Sequence, residues 1–232
     1  MLVTIITPTL NEEDELPRRA REIEVQEPPW EWIVADGGST DATKAVAQRL
    51  GARVVGAPRG RGPQLNAGAS SARGEAFVFL HADTRLPPHA VSAVRRALRE
   101  ERVAGGHFTL RFGDGTATDR LFNRYYAFQD SVFGVFYGDS VIFVRANVFE
   151  RVGGFPEEPL FEDLGLVDRL RRTGGLVTLD QIVTTSSRRY RERPIRAVLL
   201  WATLLVLHSI GVPSRTLASL YRPARERHIV RA

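Results

Sequence analysis

The first hundred residues alternate short, β-rich apolar runs with amphipathic helical patterns, and this alternation narrows the fold class before any motif is read. Residues 2–7 read as a strand ended by Pro8. Asn11 is placed to cap the helix that follows, with Glu12, Glu13 and Asp14 at its positive end and Leu16, Ala20 and Ile23 at helical spacing. Residues 32–35 form a second candidate strand, Gly37 and Gly38 the turn behind Asp36, and Ser39 or Thr40 the cap of a helix carrying Ala42, Val46 and Leu50. Residues 53–55 read as a third strand, followed by the glycine-rich stretch GAPRGRGPQLNAGAS. Residues 76–80 read as a fourth, and Pro87 and Pro88 open a helix with Val91, Val94 and Leu98 inward. Such alternation implies right-handed crossovers and a mostly parallel sheet flanked by helices, an α/β fold whose ligands gather at the carboxyl ends of the strands.

The second half is less regular. Residues 103–112 and 140–144 read as strands, 162–172 as a helix and 176–184 as a last strand, with no linker that would separate two domains. The chain has no cysteine, which excludes disulfide scaffolds, iron–sulfur clusters and thiol nucleophiles. Lys44 is the only lysine, so 31 of the 32 basic residues are arginine, and the net charge is +5. An arginine fork suits a phosphate-bearing ligand, nucleic acid or an anionic surface. No GxGxxG follows the first strand and no GKS or GKT occurs, so neither the dinucleotide fingerprint nor a P-loop is present. The opening MLVTIITPTL reads as a strand rather than a leader, and a cytoplasmic setting is expected, with the inner face of the membrane as a further contact.

Four groups of polar residues sit where this fold gathers ligands. Asp36 ends the second strand; it either bonds its own turn or accepts from a ribose or nucleobase. Asp83, in LHADT, either starts a turn or holds a divalent cation across a diphosphate, with His81 two residues away on the same side. Glu162 and Asp163 either cap a helix or supply a general base. Arg188 and Arg189 with Tyr190 either line a solvated loop or clamp a diphosphate with the tyrosine closing over it.

Taken together, TIITPTLNEE, VADGGSTDAT around Asp36, GRGPQLNAGAS, LHADT and GDSVIF…ERVGGFPE…FEDLGLVDRLRRTG resemble, in order and spacing, a family-2 glycosyltransferase with the nucleotide-diphospho-sugar-binding GT-A fold. The tail, TTSSRRYRER followed by an apolar helix and Tyr221–Arg222, is similar to a small subfamily labelled arsenosugar biosynthesis glycosyltransferase. The resemblance implies a catalytic domain over residues 1–190. Residues 191–232 would form a helical extension packed on it or on a partner subunit.

By the same resemblance Pro8, Leu10 and Glu12 line the nucleotide pocket and Asp36 meets the base. Arg59 or Arg61, with Gln64 and Asn66, lie near the base, ribose or phosphates. Asp139 joins Arg188, Arg189 and Tyr190 on the donor diphosphate. Asp83 matches the last aspartate of the family's metal-binding Asp-x-Asp, and Asp163 the catalytic base of inverting members. His81 departs from the pattern, standing where the first aspartate is usual. A nitrogen and an oxygen ligand suit Mn²⁺ better than Mg²⁺.

The implied reaction is transfer from a UDP- or GDP-sugar to an acceptor hydroxyl with inversion. The alternative is a catalytically inactive nucleotide-sugar-binding homologue. Nucleic acid is not expected as a partner, because the arginines are dispersed and no aromatic-plus-basic motif occurs. The apolar run 197–207 is too short to span a bilayer. It favours burial, against the catalytic domain or in a homodimer packed through it, over a peripheral contact with an anionic membrane.

Overall fold

In the computed structural model, which describes residues 1–113, 115–190 and 192–221, the apolar runs of the first half become four parallel strands. They are β1 (Val3–Thr9), β2 (Trp30–Asp36), β3 (Arg53–Gly56) and β4 (Ala76–Phe79), crossed by helices α1 (Leu16–Glu24), α2 (Thr43–Arg49) and α3 (Arg61–Ser70). After α4 (Ala90–Ala97) come β5 (Val103–Phe112), α5 (Ala117–Phe133), β6 (Phe143–Arg145), α6 (Ala146–Arg151), α7 (Glu162–Arg171) and β7 (Gly175–Thr185). The chain continues into α8 (Pro194–Ser209) and α9 (Ser214–Leu220). The seven strands form one sheet in the order β3-β2-β1-β4-β6-β5-β7, with β6 antiparallel to both neighbours.

Successive residues of a strand face opposite sides, and the core divides accordingly. Ile5 and Val78 pack with Leu16, Ile23, Val91 and Val94 on one face; Ile6, Phe77 and Phe79 pack with Leu65, Phe149, Leu166 and Leu170 on the other. Each such buried side chain stabilises the fold by about 1.5–3 kcal/mol. A third cluster joins Leu204 of α8 and Leu217 of α9 to Tyr137, Leu160 and Phe161.

Several sequence expectations need correction. Pro8 does not end β1, which runs on to Thr9 paired with β2. Pairing with β4 stops at Ile6, so the missing proline N–H costs no ladder bond there. The glycine-rich stretch is largely helix, α3, because Gly68 lets it press on β1: a Cβ there would lie 2.4 Å from Cγ2 of Ile6. The strand expected over 140–144 begins only at Phe143, after a 3-10 turn at Gly138–Ser140. Helix α5 was not anticipated. Neither Asn11 nor Ser39 caps a helix: α1 and α2 start without a side-chain cap.

Candidate active site

The strand order reverses between β1 and β4, and this switch point opens the crevice where an α/β sheet takes its ligand. The segment after β4 carries His81 and Asp83 to its rim. A half-buried ion pair holds this segment: Arg19 bonds Glu22 (2.9 Å) and the Thr84 carbonyl, while Glu22 accepts the Leu86 amide at 2.9 Å. Burial pushes the Arg19 guanidinium below and the Glu22 carboxyl above their ordinary values. Two residues beyond Asp83, Arg85 pairs with Thr184 by backbone bonds, so the end of β7 lies against the same segment.

His81 is buried, and its Nδ1 lies 3.0 Å from Oδ1 of Asp139. Ligand atoms of His81, Asp83 and Asp139 all fall within 4.8 Å of one another, the one such group among the described residues. One nitrogen and two carboxylates at that spacing could hold a divalent cation. Asp139 thus brings a second carboxylate to the group, beside that of Asp83.

The 3-10 turn carrying Asp139 also reaches α7. The Gly138 amide donates to Oδ2 of Asp163 at 2.7 Å, and the Leu164 amide donates to Oδ1 at 2.8 Å. A Cβ on Gly138 would lie 2.8 Å from Cε1 of His81, so the turn has no room for a side chain. Asp163 and Glu162 are both buried, and burial pushes both carboxyls above the ordinary range, with the Asp163 charge adding to the effect on Glu162. Arg61 lies 3.9 Å from Glu162. Two non-glycine residues near these groups hold left-handed backbone, Val141 (φ 54°) and Phe161 (φ 65°), strain of the kind that collects at functional sites.

At the ends of β1 and β2 the polar groups largely bind one another. Asp36 is buried and accepts the Gly38 and Ser39 amides at 3.1 Å, so it forms its own turn. Gln64 donates to the Thr9 (2.7 Å) and Ala35 (2.8 Å) carbonyls, tying the two strand ends together. Asn66 makes a two-way pair with the Phe155 backbone, 2.9 Å each way. Asn11 Oδ1 accepts the Thr40 amide, and the Glu12 amide donates to Thr43. Pro8, Leu10 and Glu12 are half-buried in and just after the end of β1, and Arg59 is exposed.

Arg188 is exposed in a 3-10 turn beyond β7; the side chain of Arg189 lies outside the described residues. Tyr190 stacks on Phe122 of α5, with ring centroids 4.9 Å apart and planes 16° apart. Its ring thus packs in an aromatic layer with Phe122. The sequence reading missed the support from Arg19 and Glu22; their i, i+3 spacing on α1 was the available signal.

Sequence and structure comparisons agree with this layout. The family profile described as Glycosyl transferase family 2 matches residues 4–151. The chain belongs to that family. Among curated relatives, an uncharacterized glycosyltransferase of Mycobacterium tuberculosis (strain ATCC 25618 / H37Rv) is 29% identical over 170 residues, 68% of this chain and 77% of its own; one from Mycobacterium bovis matches equally. Among solved structures, glucosyl-3-phosphoglycerate synthase from M. tuberculosis superposes with a TM-score of 0.65 at 21% identity, over 91% of this chain and 81% of its own. S. aureus TarS 1–349 gives 0.63 at 17%, over 85% of this chain. The chain spans 64% of that TarS fragment. The shared fold is that of the GT-A glycosyltransferases.

Proposed function

We propose that this glycosyltransferase moves a sugar from a nucleoside-diphosphate donor to an acceptor hydroxyl with inversion of the anomeric carbon. The observation that carries the reading is the joining of two chemistries through one turn, Gly138–Ser140. His81, Asp83 and Asp139 gather at one end, and Gly138, the next residue, holds Asp163. His81, Asp83 and Asp139 would hold a divalent cation, which supplies positive charge to a departing diphosphate. Asp163 takes the proton of the acceptor hydroxyl. Its two backbone donors fix the carboxylate and leave lone pairs for that proton, and its burial-raised pKa suits a base. Arg61 and Arg188 are the cations assigned to the diphosphate side.

The synthase structure was solved with Mn²⁺ and UDP, and TarS with UDP-GlcNAc; these complexes support a uridine donor within the UDP- or GDP-sugar class. Within the family, the tail motif from Thr184 to Arg193 supports the narrower arsenosugar-labelled subfamily.

The test is a panel of nucleotide sugars incubated with the purified chain and Mn²⁺. Slow release of one nucleoside diphosphate, with the sugar freed in inverted form by NMR, is expected. Tight donor binding with no release from any donor would leave the inactive binding homologue instead.

A further inference from the structure

Helix α8 is apolar on the side that faces away from the protein. At about 100° per residue, Ile195, Leu199, Val206 and Ile210 fall within about 60° of arc. Leu204, its fully buried residue, lies roughly opposite. All four outward side chains are at least 60% exposed. Phe128 and Val132 of α5, the helix that packs beside α8, are also exposed. A solvent-facing helix side is ordinarily polar, so a continuous row of branched aliphatics marks a contact surface.

Charge selects the partner. Residues 186–232 carry ten arginines against two glutamates, whereas residues 1–185 carry 22 basic against 25 acidic residues. Neither α8 nor α9 contains an acidic residue, and the exposed Arg188, Arg193, Arg196 and Arg215 flank the apolar row. A second copy seated on this row would bring the same arginines face to face. A sheet of anionic headgroups would neutralise them while its acyl boundary took up the aliphatics.

We propose that the outer face of α8 docks the protein on an anionic lipid bilayer. The helix lies in the interface and does not span it: its sixteen residues measure about 24 Å, and no helix among the described residues is long and apolar enough to cross a membrane. Its inner side already packs on Phe161, through Trp201 (ring centroids 6.1 Å apart) and His208 (4.9 Å). Docking therefore holds the start of α7, with Glu162 and Asp163, about one helix diameter, 10 Å, from the lipid. The docking does not depend on the glycosyl-transfer reading, and its test involves no turnover.

The test is co-sedimentation of the full chain with phosphatidylcholine vesicles, with and without phosphatidylglycerol, at low and high salt. Binding to the anionic vesicles at low salt is expected, at least about tenfold weaker to neutral vesicles and weakened by salt. L199E/V206E changes only outward side chains and should keep its melting temperature while losing binding at least about tenfold. I195Q/I210Q, milder and on the same face, serves if the first variant does not fold. The proposal is overturned if the wild type ignores anionic vesicles at low salt, or if both variants bind as well as it does. It is also overturned if light scattering shows a dimer that L199E/V206E dissociates while vesicle binding persists.

Discussion

Gly138 donates its backbone amide to Oδ2 of Asp163 at 2.7 Å, and through the next residue the same turn presents Asp139 to His81 at 3.0 Å. One 3-10 turn thus touches both the groups suited to a cation and the carboxylate suited to a proton. A displacement of the turn at its Asp139 end reaches Asp163 through one hydrogen bond. Neither end can be altered without consequence for the other, because Gly138 lies against the His81 ring.

Asp163→Asn is expected to lower turnover about 10²–10⁴-fold, the usual size of a general-base contribution, with donor affinity nearly unchanged. An asparagine also turns one acceptor into a donor facing either the Gly138 or the Leu164 amide, so a stability loss of about 1–3 kcal/mol accompanies it. Turnover and melting temperature must therefore both be measured. A turnover loss below tenfold with the full loss of stability would make Asp163 a helix cap.

The cation site is expected to favour Mn²⁺ over Mg²⁺, because an imidazole nitrogen belongs to the set. Calorimetric titration of UDP and GDP with each metal reads this directly. Asp83→Ala and Asp139→Ala should each remove the metal-dependent part of nucleotide affinity. Retained Mn²⁺-dependent binding in Asp139→Ala would reduce the site to His81 and Asp83.

The parallel half of the sheet was legible because its strands carried short apolar runs and α1, α2 and α4 a 3.6-residue stripe. What the sequence hid were contacts between segments distant along the chain. The 58-residue separation of His81 and Asp139 leaves no local pattern, so Asp139 was read as a diphosphate contact and not as a neighbour of the imidazole. The glycine-rich stretch GRGPQLNAGAS carried no helical stripe to read, although Gly68 serves close packing of a helix on Ile6. For Asp36 both readings were open, and in the structure its Oδ2 accepts the amides of its own turn.

Asn66 distinguishes a nucleotide contact from a structural clamp. Both of its amide atoms bond the Phe155 backbone, joining α3 to the segment that leads into α7. Asn66→Ala leaves a backbone donor and acceptor of Phe155 without these partners, so a stability loss of about 1–3 kcal/mol is expected, with donor affinity changed only modestly. Thermal melts and nucleotide titration on the same preparation decide it: an unchanged melting temperature with a large affinity loss would reverse the assignment.

His107 sets a pH dependence on stability. It is buried on β5, with its ring stacked 3.9 Å from Phe136. Nδ1 lies 3.0 Å from the Phe108 carbonyl, and Nε2 lies 3.0 Å from the Thr178 hydroxyl and 3.5 Å from Asp130. Burial lowers its pKa; Asp130 opposes that shift, and the Arg171 cation reinforces it. The folded chain thus keeps His107 neutral at pH values where the unfolded chain, with a histidine pKa of about 6.5, has taken up a proton. Below that pH the unfolded state binds more protons, so this contribution is complete above about pH 6.5 and is lost as the pH falls toward the folded pKa. The melting temperature should therefore fall more steeply between about pH 7.5 and 5.5 in the wild type than in His107→Gln, which cannot titrate. Parallel curves for the two proteins would show that His107 takes up its proton in the folded state as readily as in the unfolded one.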